Sequence, residues 1–222
     1  MTLLDGTPAT TRSLEALTVG PIATNAYLVG DPTTRDAVLI DPGAEAERLL
    51  GRLRAGDWNL REIWLTHAHF DHIGAVDDVV EALGDVPVRL HVDDRDMYGA
   101  AKEIAWAFSG IAVAQPRTPT LDIAHGDELH AGSIGAAVRH VPGHAPGHVV
   151  FVLHGARAVM AGDTLFRGGI GRTDFPNGDH DLLIAGIRRE LLSLASDTVV
   201  WPGHGPATTI AREVLENGFL QG

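Results

Sequence analysis

The sequence predicts a mixed α/β fold of a single domain, residues 1–222, built from two α/β halves at about 1–117 and 118–222. Three observations predict it. Short apolar runs rich in β-branched residues alternate with stretches of helical periodicity. The mixture of strands and helices restarts near residue 118, with no low-complexity linker before it. The residues suited to binding metal fall where apolar strands end in glycine- or proline-rich loops. Two halves packed face to face with helices outside fit this pattern. Periodicity alone does not force that arrangement over one doubly wound sheet.

Along the first half, "SLEALTV" and "NAYLVG" read as strands, and "DAVLIDPG" as a third that ends in a turn. "AEAERLLGRLRAG" has Leu49, Leu50 and Leu53 on one helical face and Gly56 as its stop. "REIWLT" is a buried strand leading to His67, "AVDDVVEALG" a helix and "VPVRLHV" a strand. "DDRDMYGAAKEIAWAFSG" reads as one helix capped by Asp93 or Asp94. Its apolar stretch, residues 103–114, is expected to be core, with a homo-oligomer face as the alternative. In the second half, "LDIAHGDELHAG" and "SIGAAVRHV" read as strands around turns, and "HVVFVLHGARAVMAGD" as a hairpin. A helix over "HDLLIAGIRRELLSLA", a strand over "TVVWPGHG" and a helix over "TTIAREVLEN" complete the chain.

Composition excludes several classes. There is no cysteine, so no disulfide, thiolate ligand or cysteine nucleophile; this fits a cytoplasmic setting. The formal net charge is −12 with no basic block, so neither nucleic acid nor an anionic membrane is an expected partner. No apolar run reaches the roughly 18 residues of a membrane-spanning helix. The first residues lack the basic-then-apolar order of a secretory signal.

The stretch "THAHFDHIG" crowds His67, His69, Asp71 and His72 into six positions. In an extended chain His67 and His69 point the same way, so one divalent ion can take both. Asp71 and His72, at a strand-to-helix turn, can serve a second ion. Four residues cannot saturate two ions, and further candidates follow other strands: His144 and His148 in "VPGHAPGH", Asp163 in "MAGDTLF" and His204 in "WPGHGP". Gly143, Gly162 and Gly203 precede three of them, where a missing side chain permits close backbone approach. For each position alone a plain turn is the bland reading. Jointly they point to a metal site. Nitrogen and oxygen donors without sulfur suit zinc and tolerate iron or manganese.

These motifs, together with "NAYLVGD", "LIDPG" and the tail "PGHGPATTIAREVLENGFL", resemble those of the metallo-β-lactamase fold superfamily over nearly the whole chain. "GDTLFRGGIGRTDFPNGD" is similar to short bacterial glyoxalase II-like (hydroxyacylglutathione hydrolase-like) hydrolases. The resemblance implies a four-layer αββα sandwich with two divalent ions at one edge of the sheets. It implies one ion on His67, His69 and His144, the other on Asp71, His72 and His204, with Asp163 between them, and Asp41 bracing the loops. Asp71 is then also the catalytic group that orients a hydroxide. The implied reaction is hydrolysis of a small-molecule thioester. Larger glyoxalase II enzymes grip glutathione with a basic C-terminal extension. Here the eighteen residues after His204 hold a single basic residue, Arg212. Arg167 and Arg172 are the remaining candidates for a substrate carboxylate, Arg172 with a structural reading beside it; Tyr27 and His148 are candidates to contact substrate or to support the site. The alternatives are a mono-iron persulfide dioxygenase using two of the histidines and Asp163, a β-lactamase, and a non-catalytic metal-binding module.

Overall fold

The computed structural model describes residues 12–110 and 119–221. Expectations for the first residues and for the end of the apolar stretch 103–114 lie outside the described residues. The first half runs β1 (Ser13–Val19), β2 (Thr24–Gly30), β3 (Asp36–Ile40), α1 (Ala46–Ala55), β4 (Asn59–Trp64), α2 (Phe70–Ile73), α3 (Val76–Leu83), β5 (Val88–His91), α4 (Arg95–Gly99), α5 (Ala101–Ser109) and β6 (Leu121–Ile123). The second runs β7 (Glu128–Ala131), β8 (Ile134–His140), β9 (Val149–Leu153), β10 (Ala158–Gly162), β11 (Leu165–Phe166), β12 (Gly169–Ile170), α6 (His180–Gly186), β13 (Val199–Pro202), β14 (Thr208–Thr209) and α7 (Ile210–Glu216).

Two six-stranded sheets result. One has the order β1-β2-β3-β4-β5-β6, antiparallel from β1 to β3 and parallel thereafter. The other has the order β14-β13-β10-β9-β8-β7, in which only β10 and β13 are parallel. Three apolar clusters define four layers. Leu49, Leu50 and Leu53 of α1 and Val76 and Val79 of α3 pack on one face of the first sheet with Leu39, Ile63 and Leu65. Between the sheets lie Val38, Ile40 and Trp64 from one side and Val138, Phe151 and Met160 from the other. Leu183, Ile187 and Leu191 cover the far face of the second sheet over Val150 and Val159. β2 and β3 are buried at every position because both faces are covered, which erases the alternation a one-sided strand would show. This is the αββα sandwich, and it settles the choice against one doubly wound sheet.

Three local expectations are corrected. β6 pairs parallel with β5 in the first sheet, so the crossing between halves falls after residue 123 and not near 118. The helix expected over 93–110 is broken at Ala100 into α4 and α5, where Gly99 weakens the helix interior. Asp94 does stand at the N-cap of α4, but its side chain makes no capping bond and is buried. On α5, Ala105 is buried but Trp106 is 66% exposed, so this helix is not core on every face. Among the described residues, no helix is long and apolar enough to cross a membrane.

The loop after β3 must lie almost against α2. A Cβ added at Gly43 would sit 1.6 Å from the Asp71 carbonyl oxygen and 2.7 Å from its carbon, both backbone atoms. Gly43→Ala is therefore expected to lower stability by about 2 kcal/mol or more, read as a fall in the urea midpoint. It should also displace Asp71 and His72, read as lower bound metal at equal protein. An unchanged midpoint would show that the two loops are not in contact.

Candidate metal centre

The site forms at one edge of the sandwich, where β4, β8, β10 and β13 run out. His67 and His69 follow β4, and α2 begins immediately, so Asp71 and His72 lie on its first turn. His144 and His148 occupy the loop between β8 and β9, Asp163 follows β10, and His204 follows β13. The structure brings six of the seven sequence-expected ligands together in two triplets, with Asp163 as the seventh beside both. His67 Nε2 and His144 Nε2 lie 3.0 and 2.9 Å from His69 Nδ1. The carboxylate of Asp71 lies 3.6 Å from His72 Nε2 and 3.3 Å from His204 Nε2. Within each triplet one ligand atom per residue falls inside 4.8 Å of the others. Asp163 stands between the triplets: Oδ2 is 3.5 Å from both His144 Nε2 and His204 Nε2, and Oδ1 is 3.4 Å from His72 Nε2.

Hydrogen bonds at the far side of three rings fix which nitrogen faces inward. Asp41 accepts from the Thr66 amide at 2.7 Å, from the Thr66 hydroxyl at 2.6 Å and from His72 Nδ1 at 3.0 Å. The Thr66 oxygen in turn accepts from His67 Nδ1 at 3.0 Å. His144 Nδ1 donates to the Arg172 carbonyl at 2.8 Å. With Nδ1 committed outward in each, His67, His72 and His144 turn Nε2 into the site. Asp41 adopts a left-handed backbone at φ 50, a strained conformation for a residue other than glycine, held by this buried network.

The residues fit divalent cations. His72 Nε2 and Asp163 Oδ1 are buried without a hydrogen-bond partner, which is costly unless a cation shares the space. A Cβ at Gly203 would fall 2.0 Å from Asp163 Oδ1 and 2.7 Å from His72 Cε1, so glycine here keeps the cradle open. Gly162 likewise admits Thr66 and His148. Gly143 differs from its expected role: its bare face packs on Asp179 and Leu183 rather than toward the cluster.

Electrostatics separates the triplets. Burial, reinforced by the neighbouring histidines, holds His67 well below its ordinary pKa and His69 at about 3; burial also lowers His144. All three are neutral at pH 7. Burial opposes charge on His72 and His204 too, but the carboxylates of Asp71 and Asp163 outweigh it and raise both. Asp71 and Asp163 stay ionised: the adjacent His72 overcomes the upward push of burial on each.

The expected substrate contacts divide. Arg172 lines the cleft above the histidines, paired with Asp174 at 2.9 and 2.8 Å. Arg167 is exposed and donates to the Ala207 carbonyl at 2.6 Å. Tyr27 is buried under the site, donating to the Pro202 carbonyl at 2.5 Å, so it supports the His204 loop and does not face the cleft. His148 is fully buried as well; it accepts from the Asp163 amide at 2.9 Å and stacks on His67 at 4.6 Å. Both are corrected from substrate contact to support.

Four supporting residues escaped sequence reasoning in this role. Thr66 relays Asp41 to His67, as above. Thr24 donates to Asp71 at 2.7 Å, and Asn25 donates to the carbonyls of Pro202 and Gly205 at 3.1 and 2.8 Å. Asp94, fully buried, accepts from the Ala68 amide at 2.9 Å and from the Gly147 amide at 2.6 Å, tying together the loops of His67, His69 and His144. Its partners are backbone amides distant in sequence, so no local pattern announces them.

The family model described as the Metallo-beta-lactamase superfamily matches residues 19–204. Hydroxyacylglutathione hydrolase GloC of Haemophilus influenzae is 36% identical over 216 residues, covering 94% of this chain and 98% of its own. Among solved structures, that of BLEG-1 B3 metallo-beta-lactamase aligns with a TM-score of 0.89 at 38% identity, over 95% of this chain and 100% of that one. TTHA1623, in a di-iron-bound form, aligns with a TM-score of 0.85 at 46% identity, over 93% and 100% of the two chains.

Two predictions follow from the charge states and the ties. An ion entering the triplet of His67, His69 and His144 meets neutral rings and releases no proton at pH 7. An ion entering that of Asp71, His72 and His204 competes with protons for two histidines whose proton affinity the carboxylates raise. Its affinity should fall about tenfold per pH unit for each proton displaced as pH drops. Titration calorimetry in buffers of different ionisation enthalpy should resolve one buffer-independent and one buffer-dependent phase; two identical phases would refute the assignment. Asp94→Asn keeps the shape but removes one acceptor, and should weaken the buffer-independent phase by about tenfold with circular dichroism unchanged. An unaltered affinity would show that the tie does not position the histidines.

Proposed function

The chain belongs to the metallo-β-lactamase superfamily and is a metallo-hydrolase, and we propose that it hydrolyses thioesters, with S-2-hydroxyacyl thiols of the glyoxalase II type as substrates. The observation that carries the reading is Asp163, one carboxylate facing both triplets at 3.4 to 3.5 Å. We assign one ion to His67, His69 and His144 and a second to Asp71, His72 and His204, both sharing Asp163. Zinc suits this donor set best, with iron or manganese as alternatives. Similarity to the hydroxyacylglutathione hydrolase supports the substrate class.

Bound ions would polarise the substrate carbonyl and supply hydroxide at neutral pH. The protein's own groups do the rest. Asp71 lines the cleft with an ionised carboxylate steadied by Thr24, and it accepts a hydrogen bond from the attacking hydroxide and so aims the oxygen at the carbonyl carbon. The acyl carbon becomes tetrahedral, then the carbon–sulfur bond breaks and the sulfur leaves as thiolate. A thiol of ordinary pKa, roughly 8.5, is a good enough leaving group to depart without a proton donor. This agrees with a described cleft lining that holds no lysine or tyrosine.

The second reading, a mono-iron persulfide dioxygenase, would need two histidines and Asp163 alone. The ligand residues are compatible with both readings; similarity to the hydroxyacylglutathione hydrolase is what supports the two-ion hydrolase. Metal-loaded protein should hydrolyse S-lactoylglutathione faster than it opens a chromogenic cephalosporin and without oxygen uptake on glutathione persulfide. Oxygen uptake as the dominant activity would replace the proposal with the dioxygenase. Asp163→Asn should lower bound metal and reduce kcat/KM by about a hundredfold or more, with the chain still folded by circular dichroism. Full metal content with full activity would remove Asp163 from the bridging role.

A further inference from the structure

The cleft over the two triplets has a volume of about 600 Å³, within the range of small-ligand sites. His69, Asp71, His144, Asp163 and His204 form its floor. Its walls are apolar and come from four separate parts of the chain: Ile22 from the turn between β1 and β2, Met97 and Ile104 from α4 and α5, Phe166 from β11, and Phe175 and Pro176 from the loop before α6. Two phenyl rings bracket the floor. Phe175 stands edge-on to His69 and His144 at 5.2 and 5.6 Å, and Phe166 edge-on to His204 at 6.3 Å.

Charge is sparse above the floor. Among the described lining residues Arg172 is the one guanidinium or ammonium group. Its charge is met in two-pronged fashion by Asp174, and its guanidinium carbon lies 4.7 Å from the Phe175 ring centre. A thiol arm carrying several carboxylates would find this one neutralised cation. It would also meet the carboxylate of Asp174 at the rim. Aliphatic or aromatic substituents would instead remove water from six apolar side chains.

We infer that the cleft selects thioesters bearing an uncharged apolar arm, which lies between Phe175, Met97 and Ile104 while the carbonyl rests over the metal triplets. This rests on the thioesterase reading above and narrows its substrate class. The apolar arm is either the acyl group or the thiol substituent. In both cases each methylene entering the cleft is expected to raise kcat/KM by about threefold until the walls are covered.

Two substrate series test it with the metal-loaded, full-length chain. The first varies the acyl group from acetyl through butanoyl and hexanoyl to octanoyl on N-acetylcysteamine. The second keeps the acetyl group and varies an alkyl thiol over the same lengths. A rising kcat/KM in either series supports the inference and identifies which arm enters. As a readout independent of turnover, the corresponding carboxylate or thiol products should bind with a parallel rise in affinity by calorimetry. Phe175→Ser and Met97→Ser should each flatten the slope in that series; one variant suffices if the other fails to fold. Flat or falling values in both series, with S-lactoylglutathione still hydrolysed, overturn the inference and leave the thioesterase reading standing. No turnover of any thioester overturns both.

Discussion

Everything at this edge of the sandwich depends on one electrostatic constraint: several acceptor atoms are buried facing one another. The inward nitrogens of His67, His69 and His144 crowd to 3.0 and 2.9 Å, beside the carboxylates of Asp71 and Asp163. Unless a shared proton or a cation lies among them, such a cluster is opposed by repulsion and by the cost of desolvation. Asp71 and Asp163 raise the proton affinity of His72 and His204 for the same reason that a cation would be held there. The donor set is thus arranged for cations.

Holding that arrangement takes the whole fold. Asp41, at the end of β3, fixes Thr66 and His72 and, through Thr66, His67. The Val149 amide donates to the Thr66 carbonyl at 2.8 Å, joining the end of β4 to the start of β9 across the two sheets. Asn25 and Tyr27 from the first sheet hold the His204 loop of the second. Asp94 ties the loops of His67 and His144. Each sheet alone presents only part of the ligand set, so packing of the central layer, with Trp64 against Phe151 at 5.4 Å, is what brings the triplets within reach of one carboxylate.

The ligand candidates were legible in the sequence because metal chemistry restricts residue types, because four of them crowd into residues 67–72, and because the others sit at strand ends marked by glycine or proline. Helices α1 and α3 were legible from their leucine and valine spacing. What was hidden is what depends on contacts distant in the chain. Nothing near Asp94 distinguishes a cap from a carboxylate receiving two remote amides, and Tyr27 reads equally well as a cleft residue or a brace. The placement of β6 turned on a parallel pairing with β5, which leaves no mark in a run of three residues. His148 looked like another ligand by type and spacing, yet its lone pair is committed to the Asp163 amide. Residue chemistry therefore located the site, and tertiary hydrogen bonds decided which of its members face the cleft.

The apolar walls and the polar floor assign different tasks to different parts of the chain. Loops from both sheets hold the reacting centre, while helices α4 and α5 and the loop after β12 shape what can lie over it. Substrate preference can then change without disturbing the ligands, which fits a fold shared by proteins whose names include both hydrolase and lactamase. The central claim is that Asp163 stands between two cations. Anomalous diffraction from crystals grown with zinc, collected on both sides of its absorption edge, tests it most directly. The account predicts two peaks, one among His67, His69 and His144 and one among Asp71, His72 and His204, both in contact with Asp163. A single peak, or two peaks that Asp163 does not touch, would contradict it.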